Sequence, residues 1–431
     1  MPILSTATHS LGNRTIHRTV LENGMAVLAV ENPAADIIAA RIFIKTGGRY
    51  ERPEQAGISH LLTAVLPKGT DRLSAQDIAE QVESVGASLG ADAAADYCLL
   101  SLKAVSSDFA EMLDLSAQLL RSPSFPTNEF DLEQRLTLQG LRSMQEHPFS
   151  VAHQQLREAM YQQHPYALAS LGTEATIAQL TRDDLQHFHQ TYFRPDNIVI
   201  SIVGRIAPDE AVRLVDAMFG DWPIPPVEMP TLHLPAIVPQ PQQAVALQDT
   251  QQAIVMLGHL AASVQETDYM ALKLLNTYLG NGLSSRLFVE LREKRGLAYE
   301  VSAFYPTRLD LSQFVVYMGT SPENAAVARD GLQQEIDRLC TTPLTPDELQ
   351  ASKNKLLGQY ALGKQTNAQI AQIFGWYETL GLGIEFDLEF QAAIAAVTTE
   401  AAQTAAQRYF GEPYVSLVGP EMAIEQLAIA A

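Results

Sequence analysis

Cysteine is nearly absent from this chain: Cys98 and Cys340 are the two in 431 residues. They lie far apart in sequence and are expected to be free and packed as small hydrophobes, so nothing in the chain requires an oxidising compartment. Positive charge is also scarce. Lys and Arg number 29 against 49 Asp and Glu, a net charge of −20, which argues against a nucleic-acid partner because phosphates are neutralised by Lys and Arg. No run of 18 uninterrupted apolar residues occurs, so no membrane-spanning helix is expected. Residues 1–24 hold no continuous apolar core of signal-peptide length. A cytoplasmic location is the default expectation. The phosphate loops G-x-G-x-x-G and G-x-x-x-x-G-K-S/T are missing, as is the serine-hydrolase elbow G-x-S-x-G.

What is present is a large globular chain. Hydrophobic residues make up 47% and charged residues 18%, enough for packed cores, and single cores stop growing near about 250–300 residues. An internal repeat accounts for the length. Tyr192-Phe193 before the run Ile198–Gly204 returns as Tyr409-Phe410 before Tyr414–Gly419, offset by 217 residues. Thr127-Asn128-Glu129-Phe130 aligns with Pro346-Asp347-Glu348-Leu349 at an offset of 219, and Leu66-Pro67-Lys68-Gly69 with Leu279-Gly280-Asn281-Gly282 at 213. Between the copies, Trp222 to Gln243 contains seven prolines, the composition of an extended linker. The expected organisation is a domain over 1–222, a Pro-rich linker over 223–242 and a homologous domain over 243–431.

Each half mixes strand and helix signals. Met25–Glu31, Asp36–Thr46 and short stretches within Ser88–Val105 read as strands, and Ala75–Val85, Phe109–Leu120, Asn128–Met144, Val151–Gln162 and Pro208–Phe219 as helices. The second half repeats the outline: strands near Ala244–Leu247, Ala253–Leu260, Tyr299–Tyr305 and Phe314–Met318, with helices over Thr267–Leu279, Glu323–Leu339 and Asp347–Leu362. Strands, then helices, then a returning strand is an α+β pattern.

The segment Gly57 to Thr70 has the flanks of an H-x-x-E-H helix. That motif places two His on one helical face to hold a metal, with a Glu beside them as general base. Here His60 remains, but the Glu position is Thr63 and the second His position is Ala64. One imidazole does not make a catalytic zinc site, which takes three protein ligands. No metal is expected in this chain.

Several motifs together carry a resemblance. They are Gly57-x-x-His60 with Lys68-Gly69-Thr70; His164-Pro165-Tyr166 with Leu171-Gly172-Thr173; Tyr192-Phe193-Arg194-Pro195-Asp196-Asn197; Phe219-Gly220-Asp221-Trp222-Pro223; and the long block from Gly282-Leu283-Ser284-Ser285-Arg286-Leu287-Phe288 to Leu291-Arg292-Glu293-Lys294-Arg295-Gly296-Leu297-Ala298-Tyr299. Over nearly its whole length the chain resembles the pitrilysin-type, inverted-zinc-motif metallopeptidases, in the branch that includes mitochondrial processing peptidase. The resemblance implies two homologous α+β domains, each a mixed or antiparallel sheet packed with helices, facing each other like a clam shell around a peptide chamber. It also implies subunits that divide the active-site parts between them.

The resemblance places a third zinc ligand, a Glu, about 76 residues after the second His, on a separate helix. Here that position is Gly140; Glu133 and Glu146, seven before and six after, read as off its register. The family's peptide-pairing edge strand corresponds to Leu89-Gly90-Ala91, with Gly90 in place of an Asn; the segment reads as an ordinary edge strand still able to pair through its backbone. The family's C-terminal functional pair corresponds to Arg292 and Tyr299. A Tyr hydroxyl can donate to an oxyanion and an Arg to substrate carbonyls.

The implied function is that of a non-metal subunit of a heteromeric zinc metallopeptidase. It would lend Arg292 and Tyr299 to the zinc site of a homologous H-x-x-E-H partner acting on a peptide, with the zinc held by that partner. The alternative is a catalytically inactive structural or peptide-binding protein of the same fold. A homodimer of isolated chains is compatible with either.

Overall fold

The Val- and Ile-rich runs assemble into two sheets in the computed structural model, which describes residues 3–11 and 14–429. The first sheet holds β1 (Ile3–Leu11), β2 (Arg14–Leu21), β3 (Ala26–Glu31), β4 (Ile37–Ile44), β5 (Ser88–Ala93), β6 (Cys98–Val105) and β7 (Ile198–Gly204), in the order β1-β2-β3-β7-β4-β6-β5. The second holds β8 (Gln243–Leu247), β9 (Ala253–Ala261), β10 (Glu300–Phe304), β11 (Ser312–Thr320) and β12 (Tyr414–Gly419), in the order β10-β11-β9-β12-β8. Read from the other edge, the second sheet reproduces β3-β7-β4-β6-β5 strand for strand. In both, the returning strand pairs in parallel with the first (β3 with β7, β8 with β12) and every other pairing is antiparallel. The fold is α+β with a duplicated sheet topology.

The first sheet carries an extra hairpin, β1–β2, that the sequence reading did not foresee. β1 is exposed over most of its length, so it has no buried face and leaves no apolar alternation to read. On β4, by contrast, Ile38, Ala40, Ile42 and Ile44 enter a core shared with helices Ile58–Val65 and Phe109–Arg121. Arg41 and Phe43 take the opposite face, as strand alternation requires.

Two compact units are built from interleaved segments. The first takes Met1–Leu141, Ala169–His233 and Ala361–Glu389; the second takes Arg142–Leu168, Leu234–Tyr360 and Phe390–Ala431. They therefore differ from the contiguous spans 1–222 and 243–431. The physical reason is a reciprocal exchange of one helix. Helix Pro148–Tyr161 packs on β9 and β12, whereas helix Asn367–Thr379 packs on β4 and β7. The two are equivalent in the repeat: each follows a long helix, Thr127–Glu146 or Pro346–Leu362, and each covers the corresponding pair of strands. Glycine permits both approaches. A Cβ on Gly375 would lie 2.4 Å from Phe43 Cε2, and one on Gly258 of β9 would lie 2.8 Å from Met160 Sδ.

Residues 223–242 contain no helix or strand. Their first part is held by Arg194, whose Nη1 donates to Val227 O at 2.7 Å. Their last part is held by Gln162, whose amide donates to Val238 O at 3.1 Å, and by the Tyr414 hydroxyl, which accepts from Gln240 N at 2.7 Å. Cys98 is buried and Cys340 half-buried, both as free thiols. Among the described residues no helix is long and apolar enough to cross a membrane.

Candidate functional site

His60 is presented by helix Ile58–Val65, whose buried face is Ile58, Leu61, Leu62 and Val65. A buried carboxylate fixes the start of that helix. Glu51 accepts from Gly57 N at 2.8 Å and Ser59 N at 2.9 Å, satisfying two of the N–H groups a helix leaves open at its start. Burial pushes the Glu51 carboxyl above its ordinary value, and these two bonds offset part of that rise. The His60 imidazole is half-buried. Burial holds its pKa below the usual histidine value, while the Glu133 and Asp92 carboxylates act in the opposite sense.

The other positions of the motif offer no metal chemistry. Thr63 is buried, and its hydroxyl turns back on its own helix to donate to Ser59 O at 2.9 Å and His60 O at 3.0 Å. Ala64 has no donor atom. Gly140 lies on helix Thr127–Glu146, and a Cβ there would meet only Leu171 Cδ1, at 3.9 Å. Among the described residues no three His, Cys, Asp or Glu side chains come together as a metal-binding group. The residues present do not fit a catalytic zinc, which takes three protein ligands.

Glu133, expected from the sequence to lie off the register of Gly140, shares its face of the helix. Glu133 is seven residues before Gly140, which is two helical turns and therefore the same face, not a different register. It reaches the His60 neighbourhood electrostatically and pairs with Lys68 at 2.9 Å. The i, i+7 spacing was the signal. Glu146, six residues after Gly140, falls off that face and is exposed.

Leu89, Gly90 and Ala91 lie on β5, the edge strand of the first sheet. Among the described residues β5 pairs only with β6, in continuous register from Ser88 opposite Lys103 to Ala93 opposite Cys98. Gly90 marks neither a bulge nor a close approach, since a Cβ there would meet nothing within 4 Å. The outer edge of β5 keeps backbone groups of the kind that accept an added strand.

Arg292 and Tyr299 lie in the second unit. Arg292 belongs to a π-helical turn, Phe288–Lys294, and its guanidinium carbon stands 4.9 Å from the Phe288 ring centroid. The chain then doubles back, with Gly296 N donating to Arg292 O and Leu297 N to Leu291 O. Tyr299 follows, its backbone N–H bonded to Gly319 O at 2.9 Å. Its side chain is 58% exposed, so it is not a core tyrosine. Arg292 is exposed as well. The neighbouring bases are engaged differently: Lys294 pairs with Glu290 at 2.8 Å, and Arg295 reaches Gln334 at 3.4 Å.

Known proteins are similar to this chain in sequence and in fold. Residues 26–174 match the family described as Insulinase (Peptidase family M16), and residues 179–356 match the Peptidase M16 inactive domain. YmxG, an uncharacterized zinc protease of Bacillus subtilis (strain 168), is 28% identical over 417 residues, covering 94% of this chain and 98% of its own. An uncharacterized zinc protease of Streptomyces coelicolor is 28% identical over 430 residues, covering 96% and 91%. Among solved structures, a peptidase M16 inactive domain from Pseudomonas fluorescens has a TM-score of 0.88 at 25% identity, covering 94% of this chain and 98% of that one. A protease from Helicobacter pylori has the same TM-score at 22% identity, covering 94% and 99%, and shares the fold.

Proposed function

The chain belongs to peptidase family M16, its two halves being matched in turn by that family's two models, and on that premise we propose that it is the non-metal subunit of a heteromeric zinc metallopeptidase. The observation that carries the reading is the division of its parts. Two zinc-ligand positions and the general-base position are filled by Ala64, Gly140 and Thr63, while Arg292 and Tyr299 are both present and solvent-accessible. The Tyr299 hydroxyl would donate to the oxyanion formed as a peptide carbonyl is attacked. Arg292 would donate to substrate carbonyls. The β5 edge would hold an extended peptide through backbone hydrogen bonds. The attacking water would be activated at the zinc of a homologous H-x-x-E-H partner.

The test is a peptidase assay of the chain alone and mixed with such a partner. The chain alone should be inactive and the complex active. Tyr299→Phe keeps the ring and removes the donor, so it should lower kcat roughly 10²–10³-fold, the usual cost of losing one oxyanion donor. Arg292→Ala should raise KM as well, and Arg295→Ala should do little. Full activity in complexes carrying both Tyr299→Phe and Arg292→Ala would leave the structural or peptide-binding reading in its place. One observation favours that second reading: among the described residues no hydrogen bond fixes either side chain, although an oxyanion donor works best when preorganised.

A further inference from the structure

Arg41 is out of keeping with its surroundings. It sits on β4, a central strand, on the face opposite the His60 helix, and the fold half-buries it in a chain with 49 acidic residues. Yet no carboxylate pairs with it among the described residues. Its Nη1 donates to Ala40 O at 3.1 Å and Leu102 O at 3.4 Å. Its Nε and Nη2 donate to nothing within the described residues. Burial lowers its pKa, and the exposed Asp92 on β5 opposes that only from a distance. A guanidinium withdrawn from water without an anion is costly.

Arg41 lines an open pocket of about 390 Å3 beside helix Asn367–Thr379, together with Tyr97, Ala368, Gln369, Gln372, Ile373 and Trp376. Every lining residue belongs to the first unit. Its chemistry is one-sided. Gln369 Oε1 is occupied, accepting from Thr366 N at 3.0 Å and Thr366 Oγ1 at 3.1 Å, which leaves its Nε2 as a donor. Gln372 makes no side-chain hydrogen bond among the described residues, so its amide is available too. Among the described residues no Asp or Glu lines the pocket. The remaining walls are flat and apolar: the Trp376 indole, Ile373 and the Tyr97 ring, which is braced edge-on by Phe43 at 5.2 Å.

We propose that this pocket binds a carboxylate carried on an apolar or aromatic group, with Arg41 Nε and Nη2 gripping the two oxygens as a fork, the glutamine amides beside them and the indole against the apolar part. Two sources share that chemistry: the free C-terminus of a peptide ending in an apolar residue, and a small free organic acid. The inference does not depend on the shared-active-site reading, because the pocket lies on the sheet face away from His60 and uses neither Arg292 nor Tyr299.

The chain contains two tryptophans, so Trp222→Phe leaves Trp376 as the only indole reporter. In that background the full chain is titrated with N-acetyl-Ala-Ala-Phe bearing a free carboxylate, with its C-terminal amide, and with 3-phenylpropionate. Saturable change in Trp376 emission is expected with at least one acid, and binding roughly 10- to 100-fold weaker for the amide, the range set by loss of a charge-assisted pair. Arg41→Gln should weaken the acid by the same factor and leave the amide unchanged. Arg41→Lys, which keeps the charge but loses the fork, should fall between. Ala368→Leu, which adds bulk to a wall of the pocket and leaves the Arg41 side chain in the sequence, should abolish the response while the melting temperature confirms folding. A response to the peptide acid alone assigns the peptide terminus as source, and a response to 3-phenylpropionate alone assigns a free acid. Equal affinity for acid and amide, or wild-type affinity in Arg41→Gln, overturns the proposal. Peptidase activity with a zinc-bearing partner should be unaffected by Arg41→Gln, so failure here and failure of the subunit reading are told apart.

Discussion

At the scale of single residues, two substitutions account for the missing metal, and both are testable by reversal. Ala64 is one turn from His60 on the same helix, where a second imidazole would share its face. A Cβ at Gly140 would make one ordinary contact, with Leu171 Cδ1 at 3.9 Å. After dialysis the wild-type chain should retain far less than stoichiometric zinc. The double variant Ala64→His, Gly140→Glu should retain a stoichiometric amount, measured by elemental analysis. A double variant that folds but stays metal-free would mean that the two helices do not bring these positions within ligand distance of His60.

Acid sensitivity also belongs to this scale. Burial pushes His153, His189 and His259 down to about 4. The unfolded chain takes up these protons near about pH 6.5, so between there and about pH 4 the unfolded state binds more protons than the folded one. Stability present at pH 7 is therefore lost as pH falls through that window, by up to on the order of 3 kcal/mol for each histidine. His259 is the cleanest case: its Nε2 is buried without a partner among the described residues, and its ring lies 5.3 Å from Phe410. His259→Phe should flatten the acid limb of a melting-temperature profile with little change at pH 7. An unchanged limb would assign the acid sensitivity to other groups.

At the scale of elements, the exchanged helix makes one substitution change sign with its location. Gly→Ala in a helix interior normally gains about 1 kcal/mol. At Gly358, exposed on helix Pro346–Leu362 with nothing within 4 Å of the new Cβ, that gain should appear in full. At Gly375 the methyl would strike Phe43, a buried ring held by Tyr97. Overpacking of this kind costs typically about 1–3 kcal/mol, so Gly375→Ala should destabilise. Denaturant midpoints of the two variants should move in opposite directions.

The elements themselves were largely legible from sequence. Strands such as Ala26–Glu31 and Ile37–Ile44, and helices such as Phe109–Arg121 and Pro208–Phe219, announce themselves by apolar spacing. Helix Asn367–Thr379 did not, and the partner sheet of Pro148–Tyr161 could not. Periodicity reveals that a helix has an apolar face but not which sheet will cover it. The pocket was hidden for the same reason. Arg41 alternates with Ala40 and Ile42 in plain view, but its place opposite Trp376, over three hundred residues away, is a tertiary fact. Glu133 was the avoidable miss, because two helical turns can be counted in the sequence.

At the scale of the whole molecule, the duplicated sheet does not make two separable proteins. Residues 1–222 lack the helix that covers β4 and β7, and residues 243–431 lack the one that covers β9 and β12. Expressed alone, each half should expose an uncovered apolar face and aggregate or remain molten. Co-expressed, the halves should yield a soluble complex with a cooperative melt. Two independently stable, monomeric halves would contradict the exchange.

The exchange also has a consequence in time. A ribosome releases the first sheet's last strand long before the helix that must lie on it, Asn367–Thr379. At roughly 5–20 residues per second, the 175 residues that follow Gly204 through Thr379 take on the order of 10–35 s to emerge. Throughout that interval the nascent N-terminal sheet has one face without its cover, which makes synthesis itself the stage at which this chain most needs a chaperone.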